Sequence, residues 1–117
     1  MRRLILSGFL ALGVALPAAA QRSGTYDISG TNPDGSSYTG TLLLTQVGLS
    51  TFRVVWTIGN DTIEGVAMVS GLTLATAFAL GQQSAMGIYD LKPNGELDGV
   101  WTTVGAFAAG RETARPR

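Results

Sequence analysis

Residues 51–58 read Thr-Phe-Arg-Val-Val-Trp-Thr-Ile (TFRVVWTI), and this stretch decides the fold. Successive side chains of an extended chain point to opposite faces, so Phe52, Val54, Trp56 and Ile58 form one apolar side. Arg53, Val55 and Thr57 form the other, which places Trp56 in a core. The same alternation recurs outward from this segment. Tyr38, Leu42 and Leu44 carry it before, and Leu72, Leu74 and Phe78, then Leu97 and Trp101, carry it after. From Thr25 onward no long stretch keeps a helical period, so the chain is all-β.

Strands are expected at 25–29, 37–46, 51–58, 62–70, 72–78, 86–91, 96–103 and 109–113. The connections between them are turn-forming: Asn32-Pro33-Asp34-Gly35, Gly48 with Ser50, Gly59-Asn60-Asp61, Ser70-Gly71 and Lys92-Pro93-Asn94-Gly95. Proline presets φ at the second turn position and glycine accepts positive φ two residues later. Short turns between successive strands make those strands antiparallel neighbours. Gly40, Gly65, Gly87 and Gly99 fall inside strands, where glycine weakens packing and marks bends. A sheet that bends so often closes on itself, which also removes its exposed edges. The expectation is a small antiparallel up-and-down barrel of about eight strands, of the general avidin or lipocalin type. A two-sheet β-sandwich is the alternative.

Ahead of this domain stands an export signal. Arg2 and Arg3 precede the apolar run Leu4–Leu16 (LILSGFLALGVAL), and Pro17-Ala18-Ala19-Ala20 ends in the small residues that signal peptidase reads. Residues 1–20 are therefore expected to be a signal peptide cleaved after Ala20, and 21–117 a single domain. The run is too short to span a bilayer, no later segment is long and apolar enough, and outward Arg53, Glu64 and Asp98 would face lipid in an outer-membrane barrel. The expected location is periplasmic or secreted, with no membrane span after cleavage.

Composition removes most chemistries. The 117 residues contain no cysteine and no histidine, which excludes a Ser-His-Asp triad, a cysteine nucleophile, an imidazole shuttle and a thiolate zinc site. Without Arg2 and Arg3 the chain is weakly acidic. Arg22, Arg53, Lys92, Arg111, Arg115 and Arg117 form no stripe that could neutralise several phosphates, so nucleic acid is not an expected partner. The Arg111–Arg117 cluster reads as a solvated tail. Glu96 and Asp98 share a strand face at i, i+2, the spacing for paired carboxylates, but it equally describes a solvated face. Asn60-Asp61-Thr62 fits a glycosylation sequon and reads first as a turn; Asn32–Ser36 lacks the ligand spacing of a calcium loop. No catalytic residue, metal or cofactor is expected.

Two surfaces remain for binding. Tyr26, Tyr38, Trp56, Phe78, Tyr89 and Trp101 would line a cup if the barrel held a ligand. An empty cavity of about 150 Å³ costs on the order of 3–4 kcal/mol, a large share of a small domain's stability, so a filled interior is expected. Outside, Val55, Val66, Met68 and Val100 alternate with Arg53, Glu64, Asp98 and Thr102, and they are the candidate interaction surface.

Tyr26–Gly40 (YDISGTNPDGSSYTG), the Trp56 strand and Gly87–Trp101 (GIYDLKPNGELDGVW), with Gly110-Arg111-Glu112 closing, resemble a group of small exported bacterial proteins described as hypothetical or fibronectin-binding-like. The resemblance covers nearly the whole mature chain and implies adhesion to a host matrix or envelope protein. It also implies a cysteine pair on the third and fourth strands, where this chain has Phe52 and Ala67. The expected function is an exported, soluble binding or interaction module acting on a protein partner or by self-association. A periplasmic protease or lysozyme inhibitor is the alternative, and a carboxylate-dependent hydrolase comes third.

Overall fold

The computed structural model describes residues 23–117. The expected signal peptide, its cleavage site and Arg22 lie outside the described residues. Eight strands follow in order: β1 (Gly24–Thr31), β2 (Ser37–Gln46), β3 (Thr51–Ile58), β4 (Asp61–Ser70), β5 (Thr73–Leu80), β6 (Gln83–Leu91), β7 (Leu97–Thr103) and β8 (Gly110–Pro116). Each pairs antiparallel with the next, and β8 pairs with β1, so the sheet closes into an up-and-down barrel. Closure excludes the sandwich.

Two expectations fail at strand ends. Leu72 is not on the inner face of a strand. It sits in the Gly71-Leu72 turn and is 64% exposed, because Gly71 takes φ 59° and the ladder resumes only at the Ser70–Thr73 pair. The Arg111–Arg117 cluster is not a tail either. Residues 111–116 are most of β8, and the three arginines point outward to carboxylates on β1, on β7 and in the turn before β7: Arg117 to Asp27 at 2.9 Å, Arg111 to Asp98 at 4.0 Å and Arg115 to Glu96 at 3.4 Å. Glu96 and Asp98 are thereby engaged on the outer wall and form no acid pair in a cleft.

Turn chemistry behaves as the residues demand. In Asn32–Ser36 the Gly35 N–H donates to the Asn32 carbonyl at 2.8 Å, and the Ser36 N–H to Asp34 Oδ1 at 2.9 Å. The Ser36 hydroxyl bonds the same oxygen, and these two bonds hold the Asp34 carboxyl below the usual carboxylate range. Lys92–Glu96 repeats this arrangement at the opposite end, with the Glu96 N–H donating to Asn94 Oδ1 at 3.0 Å.

One half of the interior is solidly packed. Toward the end where the chain enters and leaves, Tyr26, Leu44, Phe52, Leu74, Leu91 and Leu97 interleave as buried side chains. Each such burial contributes roughly 1.5–3 kcal/mol. Phe52 and Ala67 face each other in register, a large and a small residue filling one position of that layer. The other half, beneath the β1–β2, β3–β4, β5–β6 and β7–β8 connections, holds aromatic side chains around a cavity.

Candidate functional site

β8 supplies the central group. Along it Gly110, Glu112 and Ala114 are buried while Arg111 and Arg115 are exposed, so the period-two alternation delivers a glutamate into the interior. Its register neighbours are both glycine, Gly30 on β1 and Gly99 on β7. Opposite those glycines stand two tyrosines, Tyr38 across from Gly30 and Tyr89 across from Gly99. One ring around the barrel therefore reads Tyr38, Gly30, Glu112, Gly99, Tyr89.

The glycines make the convergence possible. A Cβ on Gly30 would sit 2.6 Å from the Tyr38 ring, and one on Gly99 2.7 Å from the Tyr89 ring. Each aromatic ring lies across the strand face that the missing side chain leaves open, and both hydroxyls arrive at the carboxylate. Tyr38 donates to Glu112 Oε1 at 2.7 Å and Tyr89 to Oε2 at 2.8 Å. From β3, the Trp56 indole N–H donates to Oε2 at 3.0 Å. Trp101, between Gly87 and Gly110 in register, donates its N–H to the Tyr38 hydroxyl at 3.0 Å.

A buried carboxylate is costly unless it is hydrogen-bonded, and here three donors meet the requirement at 3% exposure. Burial, followed by the adjacent Glu112 charge, raises both the Tyr38 and Tyr89 hydroxyls well above the ordinary phenol range.

Above this network lies a cavity of about 90 Å³, open toward the connections. Tyr38, Trp56, Phe78, Tyr89 and Trp101 line it with Glu112, and Asn32, Ile58, Ile63 and Leu80 complete its wall and rim. Phe78 packs against both indoles, with ring centroids 4.7 Å from Trp56 and 6.3 Å from Trp101. Five of the six aromatics expected to line a cup are thus brought together. Tyr26 is not among them, because its place near the start of β1 puts it in the packed half. The expectation of a filled interior is corrected to a half-filled one.

Glu112 escaped the sequence reading. Its signal was local: a glutamate in phase with Gly110 and Ala114, bracketed by outward arginines.

The candidate outer surface is only partly contiguous. Val55 is opposite Leu43 and Glu64, and Val100 lies on β7, three strands from Val66 and Met68. β5 and β6 bridge that gap. Val66, Ala77 and Met86 form one register row, and Met68, Ala75, Ile88 and Val100 the next. A broad hollow of about 430 Å³ overlies the β3–β5 part of this wall. Met86 and Ile88, both more than half exposed, belong to this wall although they stand outside the candidate set Val55, Val66, Met68 and Val100.

No family model and no curated protein matches the chain. Among solved structures it is similar to a redesigned β-barrel, mFAP1, bound to DFHBI, at 23% identity over 86% of this chain and 98% of that one, with a TM-score of 0.67. It is also similar to a de novo designed fluorescence-activating β-barrel (14% identity, 87% and 99% coverage, TM-score 0.60). A variant of the fluorescent protein UnaG is a third such structure (14% identity, 86% and 98% coverage, TM-score 0.56). At these identities the likeness shows the fold, a small closed β-barrel.

Proposed function

We propose that the protein is a binding module whose barrel holds a small ligand in the aromatic cup. The observation that carries this is the combination of an open cavity, five aromatic side chains and a hydrogen-bonded carboxylate at its floor. Pockets of this kind pair a mostly apolar wall with a few placed polar groups. The similar barrel mFAP1 is bound to DFHBI, which lends the same support from outside the chain. The cup presents one carboxylate, where the usual pair of a glycoside hydrolase would need two. Export by way of residues 1–20 belongs to this proposal and sets the ligand outside the cytoplasm.

The two tryptophans of the chain both line the cup, so its intrinsic emission reports occupancy. A panel of small organic molecules of differing charge and polarity is titrated against that emission. The expected result is a saturable change with at least one of them, abolished by Ile63→Phe, which fills the wall. Emission unmoved by the whole panel, or binding that survives Ile63→Phe unchanged, would remove the proposal.

A further inference from the structure

Resting on the cup as a small-ligand site, we infer that the ligand carries a methylated ammonium head group, recognised by the aromatic walls and Glu112. The first step is an inventory of what the cup offers. Trp56, Tyr38 and Tyr89 spend their polar hydrogens on Glu112, and Trp101 spends its own on Tyr38. No N–H or O–H of the buried lining is left for a guest. What remains is ring surface, lone pairs on the tyrosine hydroxyls and one position on Glu112, since a carboxylate has about four lone-pair sites and three are occupied here.

Charge narrows the class. Every bond drawn to Glu112 is one it accepts, and no Lys or Arg lines the cup beside it. An anion would meet the Glu112 carboxylate and no buried donor. A neutral apolar group would gain from the rings and nothing from Glu112. A cation gains both from Glu112 and from the aromatic rings, whose faces attract positive charge most strongly when water is excluded.

Donor count and size narrow it further. A primary ammonium brings three donors, each of which must find an acceptor in place of water, and Glu112 has one open position for them. A trimethylammonium brings charge with no donor to satisfy. An engineered cavity of about 150 Å³ takes up benzene, a proportion at which 90 Å³ admits roughly four non-hydrogen atoms. A trimethylammonium head has that size, and the rest of its molecule would leave through the open mouth beside Asn32 and Leu80.

The test compares choline with 3,3-dimethylbutan-1-ol, its neutral isostere with carbon in place of nitrogen, and with ethanolamine, by tryptophan emission and calorimetry on the purified protein. Choline is expected to bind about tenfold or more tightly than either. Glu112→Gln, checked for folding by near-ultraviolet circular dichroism, should bring choline and the alcohol to within about threefold of each other. Should that variant not fold, Trp101→Leu at the half-buried end of the wall is expected to weaken choline more than the alcohol. Equal or tighter binding of the alcohol, or equal loss of both in Trp101→Leu, overturns the ammonium inference while leaving a small-ligand cup in place. Choline failing to bind while another panel member binds does the same. If no panel molecule binds, both readings fall together.

Discussion

A carboxyl group in the middle of an eight-stranded barrel is stable only because its acceptors are met one by one. Glu112→Ala would take the carboxylate partner from the buried Tyr89 hydroxyl and Trp56 N–H, and we expect a loss of about 2–4 kcal/mol in urea unfolding. Glycine at position 99 is equally specified, since a methyl there would collide with the Ile88 carbonyl and the Tyr89 ring. Gly99→Ala should cost roughly 1–3 kcal/mol by the same measurement. The tyrosines add a pH signature. A hydroxyl whose folded pKa lies above its unfolded value of about 10 contributes stability that is complete below that pH. That contribution fades as the pH rises beyond about 10, because the unfolded chain can release the proton and the folded one cannot. Tyr38 and Tyr89 are both shifted upward. Absorbance near 295 nm should therefore show neither ionising while the fold persists, with their phenolate signal appearing together with alkaline unfolding. Ionisation of both at ordinary phenol pH in the folded protein would refute the network.

At the scale of the strand, β8 shows why the site was hard to read and the rest was not. β3 announces itself through four large apolar residues in phase, and its bounds are those expected from the sequence. β8 offers Gly110, Glu112 and Ala114 as its inner set, two small residues and an acid among outward arginines, which composition alone assigns to solvent. Its burial follows from having neighbours on both sides, and that is a property of closure rather than of the segment. The same holds for Gly30 and Gly110, whose purpose depends on which rings lie across them. A chain ended after Ala109 loses the ladders to β1 and β7 together, and we expect it to lack near-ultraviolet dichroism and to aggregate through the opened edges. The outer rows behave oppositely. Val66→Glu and Met86→Glu replace side chains more than half exposed, and each should change unfolding free energy by no more than about 0.5 kcal/mol. A larger loss for Val66→Glu would mean that this wall is covered.

At the scale of the whole barrel, the described residues form eight hairpin-linked strands joined by one long-range seam between β1 and β8. All other pairings connect consecutive strands, which is why alternation and turn residues sufficed to anticipate the barrel. Terminal strands commonly fray, but this seam carries Arg117 on Asp27 outside and Glu112 within. Hydrogen exchange should accordingly show the β8 amides protected to the same level as those of β3, with the seam opening only when the molecule unfolds. Much faster exchange along β8 would identify the seam as a weak gate into the interior. The two ends of the barrel have also been given different tasks. Chain entry at Ser23 and exit at Arg117 lie at the packed end, where the Arg117 N–H bonds the Thr25 carbonyl, and the cup opens at the other. Anything fused to either terminus, whether a cell-surface anchor, a sensor chip or a second protein, would hold the barrel like a goblet by its foot, with its mouth turned toward whatever is passing.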